Sequence, residues 1–111
     1  MESVSLTTLA QEQLARARRA HAGRSAHTIY GGRDRRLRQT IIALTADSSL
    51  ADHDSPGDAT VQVLTGRVRL ATADDAIELA PGDYSAIPDA RHRLDALCDA
   101  VVILSVATGG H

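Results

Sequence analysis

The stretch "ADHDSPGDATVQVLTGRVRL", residues 51–70, gathers side chains that could do chemistry: His53 between Asp52 and Asp54, then Ser55 and Asp58. Imidazoles and carboxylates are ligand types for Zn, Fe, Mn and Ni. The stretch therefore reads as half of a metal site leading into a strand, a turn and a second strand. A nucleophile, base and orienter made of Ser55, His53 and Asp52 or Asp54 fails on geometry, because residues packed so closely on one strand do not converge on one reacting atom. Cys98 stands before Asp99 in an apparent turn, without a basic sequence neighbour, and reads as an inert, partly buried thiol. "YGGRDRR" has paired glycines without phosphate-binding spacing, so these are turn residues.

The elements that must position these groups change character once along the chain. From Ser5 to about Ala22 the pattern is helical: Ser5 or Thr7 can cap, Arg16, Arg18 and Arg19 lie late, and Gly23 can end the helix. Leu6, Leu9, Ala10, Leu14 and Ala17 form a narrow apolar side that needs cover from a sheet or from a second copy of the chain. From His27 onward, about eight short strands are separated by tight turns, the signature of a sandwich or barrel. Residues 1–26 thus form an N-terminal helical segment, 27–108 a β-barrel domain and 109–111 a tail.

Alternation along the strands assigns faces. In "HRLDAL", His92, Leu94 and Ala96 share one face, and Arg93 and Asp95 the other, so His92 looks into the barrel. The same rule places His53 and Ser55 on one face, with Asp52 and Asp54 on the other. Gln39 is a strand polar whose face the pattern does not decide.

Composition narrows the function classes. The 111 residues make one domain, without room for separate catalytic and recognition domains. Tyr30 and Tyr84 are the only aromatics, so core volume comes from Val, Leu, Ile and Ala. One cysteine excludes an intrachain disulfide and a cysteine metal cluster, which fits a reducing cytoplasm. No apolar run of about eighteen residues is present for a membrane span, and "MESVSLTTLA" lacks the features of a signal peptide. Residues 1–38 hold eight arginines against three acids, a balance of +5, whereas residues 39–111 hold four against eleven, or −7. The arginines form no single stripe and have no interleaved stacking aromatics, which argues against nucleic acid and for a solvated face or contact with an acidic partner surface.

"HDSPGDATVQVLTGRVRL", followed by "LAPGDYSAIPDARHRLDAL", resembles the two motifs of the cupin superfamily, and the likeness covers roughly residues 38–107. The spacing of Gly66, Pro81-Gly82-Asp83, Ile87-Pro88 and a His opening the next strand carries it. The chain resembles small single-domain bacterial cupins of unassigned biochemistry. The resemblance implies an all-β fold, a double-stranded β-helix or jelly-roll barrel, here with an N-terminal α-helix. It also implies a homodimer paired through sheet edges.

The resemblance further implies where a metal would be held. The first cupin motif offers two His separated by one residue and then a Glu; counted back from Gly66, these fall on His53, Ser55 and Ala59. Two of the three ligands are absent. In the second motif a gapless count lands on Arg93, and a one-residue deletion in the turn restores His92. Two imidazoles hold Zn, Fe, Mn or Ni poorly without a third ligand. Asp58 at a bulge, Asp54 after a rotated turn, or His27 could complete the set.

Three functions stay open on the sequence. One is a binding cupin whose interior holds a small molecule among Val61, Val63, Leu94 and Ala96, with His53, Ser55 and His92 at the rim. Another is a metal-dependent enzyme of dioxygenase or isomerase type, in which His53, His92 and Asp58 hold the ion. The third is a dimeric interaction protein with a filled barrel.

Overall fold

A computed structural model describes residues 1–53 and 57–108, with residues 52 and 53 followed through their backbone. Helix α1 (Leu6–Arg19) precedes nine strands among these residues: β1 (Arg24–Tyr30), β2 (Leu37–Leu44), β3 (Ser49–His53), β4 (Asp58–Thr65), β5 (Val68–Thr72), β6 (Ala76–Leu79), β7 (Tyr84–Ala86), β8 (His92–Ala96) and β9 (Ala100–Ala107). They form two antiparallel sheets, one ordered β1-β2-β9-β4-β7 and the other β3-β8-β5-β6. The two sheets make the jelly-roll barrel that the cupin resemblance implied, within the sandwich-or-barrel class read from the turn spacing.

Strand alternation builds the core. Ile42 and Leu44 of β2, Val61 and Val63 of β4, and Ala100 and Val102 of β9 face Val68, Leu70, Leu94 and Ala96 of the four-stranded sheet. The other side of the five-stranded sheet is also covered. Ile41, Ala43, Val101 and Ile103 lie beneath Ala10 and Ala17 of α1. Strand β9 is therefore buried on both faces, which is why "AVVILSVA" is almost continuously apolar rather than alternating.

Helix α1 finds its cover on this chain's own sheet. Ser5 caps it, its Oγ accepting from the Thr8 N–H at 3.1 Å. The small Ala10 and Ala17 let the helix approach the sheet closely, and the buried Gln13 accepts from the Ser25 hydroxyl at 2.5 Å. The helix stops at Arg19, earlier than the pattern to Ala22 suggested, because Ala20 is already extended. Residues 20–23 then turn the chain into β1, which begins at Arg24 and forms one edge of its sheet.

Two sequence turns have clear local physics. In "APGD" the Asp83 carboxylate accepts from the Ala80 N–H at 2.8 Å, while the Asp83 N–H donates to the Ala80 carbonyl at 2.9 Å. This closes the β6–β7 connection. Gly66, at φ +77°, makes the β4–β5 turn directly against Asp99 and Ala100. Cys98 lies in the adjacent β8–β9 connection and is exposed, not partly buried as the sequence reading expected.

Candidate functional site

His92 opens β8 and is buried, only 4% exposed as a residue. Its Nδ1 lies 2.9 Å from the Ala90 carbonyl. A carbonyl can only accept, so the ring donates from Nδ1 to the Ala90 carbonyl. The backbone register pairs His92 with His53 of β3 on one side and with Thr72 of β5 on the other. The two histidines singled out in the sequence are thus cross-strand partners.

Arg93, the alternative landing point of the gapless count, points away from the barrel. Its guanidinium meets the Asp95 carboxylate at 2.8 Å. Burial opposes ionisation of Asp95, but hydrogen bonds from Ser49 and Arg93 and the charges of Arg93 and Arg69 outweigh it and hold the carboxyl below its usual range. This outer face of the four-stranded sheet carries structural ion pairs.

The candidate third ligands do not join His92. Asp58 is exposed and pairs with Ala107 in unbroken register; the only irregularity in the β4–β9 pairing falls between Val63 and Thr65. Asp58 therefore sits on the face opposite Ala59, Val61 and Val63, and lines a groove of about 380 Å³ at the start of β4 together with Ala59, Thr60, Ala86, Ile87 and Asp89. His27 pairs with Ile41, which faces the helix, so it lies on the far side of the five-stranded sheet from the barrel interior. Asp54 and Ser55 lie outside the described residues. Ala59, at the position where the cupin pattern has Glu, is buried and supplies no donor. Among the described residues no group of three or more His, Cys, Asp or Glu is placed to hold a metal ion. The donors among the described residues therefore do not by themselves make up the usual three-ligand metal centre.

The interior is nearly full. His92, Val61 and Leu94 line a cavity of about 20 Å³ together with Ile42, Leu50, Leu70, Ile87, Val102 and Leu104. One water needs about 10–15 Å³ by this kind of measure, so the void admits about one. Val63 and Ala96 are packed into the surrounding core.

The larger space lies at the mouth. An open groove of about 410 Å³ is walled by Thr40 and Ile42 of β2, Leu104 and Val106 of β9, and Thr108. Arg33 and Arg35 from the β1–β2 connection and Arg38 of β2 complete it, with Gly32. Ile42 and Leu104 belong both to this groove and to the inner cavity, so they form the wall between the ligand-sized space and His92. Sequence reading noticed these arginines only as a charged front. The alternation in "LRQTIIAL" could have found Arg38, since it shares a face with Thr40 and the core residues Ile42 and Leu44. Gln39 falls on the opposite face and donates to Ser105 Oγ at 3.2 Å.

Comparison with known proteins agrees with this architecture. No family model matches the chain, and no curated protein matches it. Among solved structures, a conserved protein of unknown function from Streptococcus pyogenes superposes with a TM-score of 0.72 at 24% identity, over 83% of this chain and 80% of that one. An RmlC-like cupin from Shewanella frigidimarina gives 0.69 at 14% identity, over 81% and 80%. A cupin superfamily protein from Desulfitobacterium hafniense gives 0.65 at 15% identity, over 75% and 77%. The fold is that of a small cupin, as the paired motifs implied. Among the described residues no helix is long and apolar enough to cross a membrane.

Proposed function

We propose that this cupin binds a small molecule at its barrel mouth, without a resident metal ion. The observation that carries the reading is the contrast between a filled interior of about 20 Å³ and a mouth groove of about 410 Å³ floored by Ile42 and Leu104. Ligand sites are concave, with apolar walls and a few placed polar groups, and the groove has both. A dioxygenase or isomerase mechanism would need an ion-holding set that the described residues do not make up.

A thermal-shift screen against small molecules tests this, because a ligand selective for the folded state raises the melting temperature. Binders are expected whose effect disappears in Thr40→Trp, which fills the groove from β2. Binders that stabilise Thr40→Trp as well as the native chain would contradict the reading.

A further inference from the structure

We infer that the mouth groove selects small organic anions, with carboxylate or phosphate groups held by Arg38, Arg33 and Arg35 against an apolar wall. The inference rests on the barrel-mouth reading above and names its ligand class.

Arg38 is the central observation. Its register partner is Val106, which in turn pairs with Ala59, so one row crosses β2, β9 and β4 on the barrel face. The next row inward is Thr40, Leu104 and Val61. Arg38 therefore projects on the ligand-facing side, one row above the groove floor, and Ala59 offers no acid in that row to neutralise it. Neither Arg33 nor Arg38 has a side-chain hydrogen bond or ion pair among the described residues. The described lining holds three arginines and no carboxylate.

The Arg35 side chain and the backbone of the β1–β2 connection are held in place by their surroundings. The Arg35 guanidinium stands 5.7 Å over the Tyr30 ring, with a nitrogen 3.5 Å from the Tyr30 hydroxyl. The connection that carries Arg33 and Arg35 is closed by the Arg35 N–H donating to the Gly32 carbonyl at 3.1 Å. It is tied to the end of β9 by the Thr108 N–H donating to the Arg36 carbonyl at 2.8 Å. Guanidinium forks match the two oxygens of carboxylate and phosphate. Ile42, Leu104 and Val106 offer nothing to a bare inorganic ion but would bury a short apolar body. The combination fits an amphipathic anion.

The test is a titration followed by amide NMR, using phenylacetate, phenyl phosphate and neutral phenylacetamide as probes. Both anions should shift the Arg38, Thr40, Leu104 and Val106 amides and bind roughly tenfold more tightly than phenylacetamide, as one charge-assisted hydrogen bond implies. Added salt should weaken the anions and leave the amide unchanged. Arg38→Gln should remove the preference, Arg38→Lys should restore part of it, and Arg36→Gln, with the same loss of charge outside the groove, should retain it.

Phenylacetamide binding the groove as tightly as the anions would overturn the anion selectivity and leave the small-molecule reading standing. Anions that shift only the α1 arginines would also overturn it. Shifts at the mouth from none of the three probes would overturn both.

Discussion

Gly66→Ala is expected to lower the urea midpoint of unfolding far more than Gly82→Ala, although both glycines hold positive φ, +77° and +88°. The left-handed backbone costs any L-residue about 1–2 kcal/mol, and that cost is common to both sites. At Gly82 an added Cβ meets nothing within 4 Å. At Gly66 it would stand 2.2 Å from the Asp99 carbonyl oxygen and 2.6 Å from the Ala100 Cα. Both obstacles are backbone, so the β4–β5 turn or the start of β9 must move. Adding an overpacking cost of about 1–3 kcal/mol gives roughly 2–5 kcal/mol in total, a large share of the 5–15 kcal/mol typical of a domain. Equal losses at the two glycines would contradict the close approach of these turns.

Leu44→Ala is expected to cost roughly 2–5 kcal/mol, in the upper part of that range, whereas Leu37→Ala on the same strand should stay within about 0.5 kcal/mol. Leu44 is fully buried in the sandwich core, while Leu37 is 41% exposed. The upper range follows from the neighbours. Val63, Val68 and Val102 are β-branched and stiff at χ1, and with no Phe or Trp in the chain no large side chain can swing into the gap. Paired denaturant curves for the two variants measure the difference. Similar losses would mean that the inner face of β2 is not the one described.

The strands and turns were legible because alternation and punctuation agree in most of the chain. "ATVQVL", "RVRLAT" and "HRLDAL" each carry an apolar face between turn residues. Strand β3 carries a weak local signal, because "SLADH" offers one strongly apolar residue amid Ser, Ala, Asp and His, and it is its pairing with β8 that makes it a strand. The inward face of His92 followed from alternation alone. Asp58 was harder, because bringing it inward required a bulge at the start of β4, and the irregularity lies near the other end of that strand. A bulge's position depends on tertiary packing, which local spacing does not encode.

The arginines show the opposite case, a signal present but read at the wrong level. Grouped by sequence neighbourhood, Arg33, Arg35, Arg36 and Arg38 form one cluster of charge. Grouped by strand face, Arg38 separates from that cluster and joins Thr40 and Ile42. What alternation could not show is that the β1–β2 connection brings Arg33 and Arg35 beside it. That placement depends on the antiparallel β1–β2 pairing and on the Thr108–Arg36 hydrogen bond.

The central claim is that the mouth works as a small-molecule groove and not as a metal cage. Elemental mass spectrometry of the purified, untagged protein tests it most directly, after incubation with Fe, Mn, Ni and Zn and removal of the excess, beside a His53→Ala, His92→Ala double variant. The account predicts far less than one equivalent of any metal in the native chain, with no difference in the variant. Near-stoichiometric metal that disappears from the double variant would contradict it.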